Sequence, residues 1–177
     1  MTKPRSMLIS LEDTPYYHVV SRCVRRSFLC GMDAFSGKSF EHRRQWIADR
    51  LKLLTSAFSI EIASYAIMSN HYHLVLCADD RAAQQWGMRE VLERWSLLFS
   101  GPPEVQDYLS EKPLDDTAMR SVSAYAEQCR SRLCSISWFM RCINEPIARM
   151  ANKEDNCTGP FVKERAGGSI QKPSVAG

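Results

Sequence analysis

Apolar and polar residues change period several times along this chain, and each change marks an element. Tyr16 to Val24, behind Pro15, is rich in aromatic and β-branched residues and predicts a strand, which Cys30-Gly31-Met32-Asp33 then breaks. From Ser39 to Phe58 the apolar residues Trp46, Ile47, Leu51, Leu54 and Phe58 recur on one helical face. Arg43, Arg44, Asp49, Arg50 and Lys52 surround that face. Phe58 to Met68, with Ile60, Ile62 and Ile67, predicts a second strand, and His71 to Cys77 a third. Only Ser69-Asn70 separates them, so they should form an antiparallel hairpin. Asp79-Asp80 opens a helix expected over 81–99, with Trp86, Val91, Leu92, Trp95 and Leu98 among its apolar positions. Pro102, Pro103 and Pro113 make 101–117 a loop insertion. Helical periodicity returns from Ser121 to Asn152, with Trp138, Phe139, Ile143 and Ile147 on one side, and Pro146 should kink or split it.

Strand, helix, strand, strand, helix is the order of the first five elements of a ferredoxin-like split β-α-β-β-α-β unit. The expected fold is therefore α+β, with an antiparallel sheet and additional C-terminal helices, although no fourth strand is evident. At 177 residues the chain suits one domain, 1–165, followed by a Gly/Ser/Pro-rich tail at 166–177 that reads as flexible. A composition of 45% hydrophobic and 24% charged residues excludes gross disorder. No stretch has the length or apolar character of a membrane span or a signal peptide. Seven cysteines without a CxxC pair argue against a zinc ribbon or a disulfide framework and suit a reducing, cytoplasmic setting. The net charge of +3 conceals an asymmetry: residues 1–60 hold ten Lys/Arg against five Asp/Glu. Such a basic third suits phosphate contact as well as plain solvation.

One triplet carries chemistry. On a strand, residues i and i+2 project from the same face, so His71 and His73 set two imidazoles side by side. Neutral imidazoles one pleat apart can share a divalent cation; the alternative is a hydrogen-bonded pair on a half-exposed strand. Tyr72, Leu74 and Leu76 should face the core, while Val75 and Cys77 share the histidine face. Two ligands need a third donor or substrate oxygens. His18, on the neighbouring strand, is a candidate third ligand, though a strand histidine making one hydrogen bond is the preferred reading. Arg22, Arg25 and Arg26 flank the opening strand as candidate phosphate contacts, whereas Arg43 and Arg44 read as solvated.

Met68-Ser69-Asn70-His71-Tyr72-His73-Leu74-Val75-Leu76 resembles the signature of the HUH single-tyrosine transposases. Tyr17-His18-Val19-Val20-Ser21-Arg22 is similar to their opening strand. Trp138-Phe139-Met140-Arg141-Cys142-Ile143-Asn144 and Thr158-Gly159-Pro160-Phe161 resemble the members associated with repetitive extragenic palindromes. The likeness runs from about Tyr16 to about Arg165. It implies a ferredoxin-like endonuclease acting on single-stranded or hairpin DNA, with homodimers a possibility. His71 and His73 would be metal ligands for Mg²⁺ or Mn²⁺, the cation polarising the scissile phosphate. A helix-borne tyrosine would attack that phosphate and form a covalent link.

The pattern stops short of that tyrosine. Val162 replaces an expected tryptophan, and from Ala166 the family pattern is lost, with no tyrosine and no helical period following. The expectation is a C-terminally truncated transposase that performs no tyrosine-mediated strand transfer. Tyr125, beside Glu127 and Gln128, is the remaining catalytic candidate, although a packing contact on an amphipathic helix is the preferred reading of it. Two rival readings are a non-catalytic DNA-binding remnant or domesticated module, and a metal-dependent nuclease that uses water.

Overall fold

The structure is a computed structural model and describes residues 15–23, 29–34 and 36–157. Arg25, Arg26, the Thr158–Phe161 stretch and the expected tail at 166–177 lie outside these residues. Three strands, β1 (Tyr16–Arg22), β2 (Ile60–Ile67) and β3 (His71–Ala78), form an antiparallel sheet in the order β1-β3-β2. Helix α1 (His42–Ala57) connects β1 to β2, and β2 turns directly into β3. Met68 N–H donates to the His71 carbonyl at 2.8 Å, closing the expected two-residue turn at Ser69-Asn70. The turn is clamped from outside: its carbonyls accept from Cys23, Leu29 and Cys30 backbone N–H groups.

Alternation along the strands assigns the two faces. Tyr17, Val19, Tyr72, Leu74 and Leu76 are buried, whereas His18, Val20, His71, His73, Val75 and Cys77 are half-buried. The buried side meets Ile47, Leu51 and Leu54 of α1, and Phe139, Ile143 and Ile147 from the helix at Ile136–Glu154, in one apolar cluster. The histidine side is the sheet's other face.

Five further helices follow among the described residues: α2 (Asp80–Gln84), α3 (Met88–Ser96), α4 (Pro103–Leu109), α5 (Asp116–Leu133) and α6 (Ile136–Glu154). The helix expected over 81–99 is thus two. Arg130 of α5 donates to the Ala83 carbonyl and, at 2.8 Å, to the Trp86 carbonyl, which satisfies the end of α2 before Gly87 opens α3. The expected loop at 101–117 contains α4, because Pro103 stands in its first turn, where a missing N–H costs nothing. A second, smaller cluster joins α3, α4 and α5 through Leu92, Val105, Val122 and Ala126.

The stretch expected as one helix from Ser121 to Asn152 divides at Cys134-Ser135 rather than at Pro146. Ser135 caps α6 by accepting from Trp138 N–H, and the Leu133 carbonyl accepts from Ser59 N–H at 3.1 Å. Helix α6 continues through Pro146. Proline removes the N–H that would serve the Cys142 carbonyl four residues back, and Arg50 Nε of α1 donates to that carbonyl at 2.7 Å instead.

Arg43, expected as a solvated cation, is fully buried, with a side-chain exposure of 0%. Its guanidinium bridges Glu154 at 2.7 Å and Asp155 at 2.5 Å, and lies over the Phe40 ring at 4.3 Å. This fork fastens the start of α1 to the end of α6, consistent with the planar geometry of Arg. Arg44 is half-exposed and pairs with Glu41 while donating to the Ile67 carbonyl. Among the described residues, no helix is long and apolar enough to cross a membrane.

Candidate metal centre and its surroundings

The register places the chemistry at one end of the sheet face that points away from the core. Arg22 stands opposite His71, and Val20 opposite His73, on β1; Ala66 of β2 stands opposite His73 from the other side. Arg22 is exposed and adds positive charge beside His71. Burial lowers the His71 pKa from its usual value, and the nearby His73 and Arg22 push it further in the same direction. His71 is therefore a neutral imidazole at neutral pH, the form that has a lone pair to donate.

Each ring has a defined neighbour. His71 Nδ1 lies 2.5 Å from Asn70 Oδ1. His73 Nδ1 lies 2.8 Å from His18 Nε2, although 55 residues separate them in sequence. The His18 and His73 planes are within 7° of each other, with centroids 5.0 Å apart. Parallel planes whose nitrogens approach to 2.8 Å are too close for face-over-face stacking, so the rings meet edge to edge as an N–H···N hydrogen bond. The His71 and His73 centroids are also 5.0 Å apart, but their planes are at 70°.

The two histidines expected as ligands are thus brought together, and His18 joins them through a hydrogen bond rather than as an open donor. Among the described residues, no group of three or more His, Cys, Asp or Glu side chains is placed to hold a metal ion. Two imidazole nitrogens suit Mn²⁺ better than Mg²⁺, which prefers oxygen donors.

The motif's middle residue anchors the strand. Tyr72 OH donates to Asn144 Oδ1 of α6 at 2.7 Å, and Ser21 Oγ of β1 donates to the same oxygen at 3.1 Å. Asn144 is 5% exposed, so this polar junction is inside the core. One side-chain oxygen therefore fixes β1 and β3, the two strands that present the histidines.

Tyr125 is not part of this site. It stands in the middle of α5, where its hydroxyl accepts from Trp95 Nε1 at 2.9 Å, and it packs in the helical clusters on the buried side of the sheet. Burial pushes its phenol pKa up, against what a nucleophile needs. Tyr108 lies on α4 in the same region. Tyr16 is exposed and shares the histidine face, but stands opposite Cys77 at the far end of β3. Asp79 caps α2, accepting from Arg81 N–H, as its position before a helix implies.

Two contributors escaped the sequence reading. Asn70 was legible as a turn residue and as part of the motif stretch but with no role of its own, although an amide immediately before a histidine pair is a local signal. Asn144 sits in a helix of apolar period, and only a buried, helix-facing polar residue at that position hints at its role. Comparison of the chain with family models, curated proteins and solved structures finds no match.

Proposed function

We propose that this chain is a nucleic-acid-binding protein of the HUH single-tyrosine transposase kind. It takes single-stranded or hairpin DNA on the open sheet face, with a divalent cation at His71 and His73. The observation that carries the reading is the pair of imidazoles one pleat apart on that face, with Arg22 across from His71. Such a cation would supply Lewis acidity at a phosphate. Arg22 would hold the phosphate by charge, and the fixed Tyr72–Asn144 junction would keep β3 from shifting beneath it. The strand order β1-β3-β2, with α1 joining β1 to β2, supports a ferredoxin-like unit for the core.

The placement of the helix-borne tyrosines favours one variant of this reading. Tyr108 and Tyr125 belong to the helical clusters, so the chain binds DNA without forming a phosphotyrosine link through either. Hydrolysis by water at the cation is the alternative, favoured by the solvent-accessible histidine face.

The experiment is a binding and cleavage assay with fluorescent single-stranded, hairpin and blunt duplex DNA, with and without Mn²⁺. Expected is salt-sensitive binding that prefers the single strand or hairpin and tightens with Mn²⁺. The Mn²⁺ effect should vanish in the His71→Ala/His73→Ala double variant. No preference over duplex, or a Mn²⁺ effect that survives the double variant, overturns the reading. Multiple-turnover cleavage lost in His71→Ala without a covalent adduct selects the water-using alternative.

A further inference from the structure

Beyond the two motif histidines, the geometry points to Asn70 and His18 as positioning residues that leave the Nε2 atoms of His71 and His73 as the open donors. This inference rests on the reading that the pair holds a cation. The Asn70 side-chain oxygen can only accept, so the hydrogen between it and His71 Nδ1 belongs to the imidazole. A neutral His71 with hydrogen on Nδ1 has its lone pair on Nε2. His73 Nδ1 is likewise occupied, this time by His18 Nε2 at 2.8 Å.

The His18–His73 bond has two forms, because either nitrogen can carry the shared hydrogen. With the hydrogen on His18, the Nε2 of neutral His73 must carry its own hydrogen and is closed to a cation. With the hydrogen on His73 Nδ1, His18 accepts and His73 Nε2 is open. Cation binding selects the second form, and both motif rings then donate through the same atom. A hydrogen-bond acceptor behind each ligating imidazole is the usual means of fixing its orientation and tautomer. Here both acceptors are neutral, an amide and an imidazole, so they leave the positive charge of the cation undiminished for a phosphate. His18 reaches this role from a different strand: it is registered opposite Val75, two residues beyond His73, and crosses the sheet diagonally.

Two measurements on the full chain test the assignment. Long-range proton–nitrogen correlation NMR of the metal-free protein reads each ring's tautomer directly. The expected result is hydrogen on Nδ1 of His71 and a mixed or Nδ1-protonated state for His73. Mn²⁺ titration calorimetry then compares the wild type with Asn70→Ala, Asn70→Asp, His18→Ala and His18→Gln. The alanine variants should bind about ten- to a hundredfold more weakly, while the two variants that keep an acceptor oxygen retain most of the affinity. Folding of each variant is checked by circular dichroism. Hydrogen on Nε2 of His71, or unchanged affinity in both folded alanine variants, overturns the assignment. Expected tautomers in a wild type that takes up no Mn²⁺ overturn the cation reading instead and leave the positioning of the rings standing.

Discussion

The Tyr72 hydroxyl donates a 2.7 Å hydrogen bond to Asn144 Oδ1, tying the residue between the two motif histidines to α6. Because side chains alternate across a strand, anchoring Tyr72 below the sheet fixes where His71 and His73 emerge above it. Ser21 adds a second bond to the same oxygen from the adjacent strand.

Asn144→Ala removes the acceptor that both buried hydroxyls use. The cost should be about 1–3 kcal/mol for each hydroxyl that loses this bond. Urea unfolding should show a lower midpoint with an unchanged slope. Asn144→Asp, which keeps an acceptor oxygen, should lose less than Asn144→Ala at about pH 4, where a buried carboxyl stays neutral; the reverse order there would refute the account.

Much of the sheet was legible because its signals are local. A strand, a two-residue turn and a second strand in sequence give the β2–β3 hairpin, and alternation assigns Tyr72 to the core and the histidines to the opposite face. The helices were less legible, since apolar periodicity continues through both of their breaks. What ends them is tertiary: Arg130 on the carbonyls of α2, and Ser59 on the Leu133 carbonyl. Arg43 reads as surface charge from its neighbours in sequence, and only the distant Glu154 and Asp155 make its burial possible. The pairing of His18 with His73 is equally remote, so its place beside the motif could be suspected from strand order but its bond could not.

Pro146 and Arg50 should be coupled energetically. Arg50 donates to the Cys142 carbonyl, which is denied the N–H of residue 146 because that residue is proline. Arg50→Ala should cost about 1.5–3 kcal/mol, the range for a hydrogen bond from a charged donor. In a Pro146→Ala background the helix can serve its own carbonyl, so the same change should cost less. A double-mutant cycle should give a coupling of about 1 kcal/mol or more. Additive effects would mean that the guanidinium acts through packing alone.

Tyr125→Phe should separate packing from chemistry at the remaining catalytic candidate. The substitution leaves the Trp95 indole N–H without the hydroxyl it donates to, at a cost of about 1 kcal/mol. Affinity for single-stranded or hairpin DNA, and any cleavage of it, should match the wild type. A DNA adduct formed by the wild type and lost in this variant would place the nucleophile on α5 after all.

The cysteines give a pH prediction of defined sign. Burial is the main cause that pushes the Cys23 thiol up to about 12 and the Cys129 thiol up to about 11, both from an ordinary value of 9.0. Between the ordinary and the raised values the unfolded chain has lost thiol protons that the folded chain retains. Stability is therefore unaffected by these groups below about pH 9 and falls as pH rises through the window above it. Cys23→Ala/Cys129→Ala should show a flatter decline in unfolding free energy between about pH 8.5 and about pH 10.5 than the wild type. At pH near 8 an alkylating reagent should modify the exposed Cys157 well before the half-buried Cys23 or the buried Cys129, because the thiolate is the reactive form. Rapid labelling of Cys23 or Cys129 in the folded protein, or identical alkaline slopes for the two proteins, would contradict the burial argument.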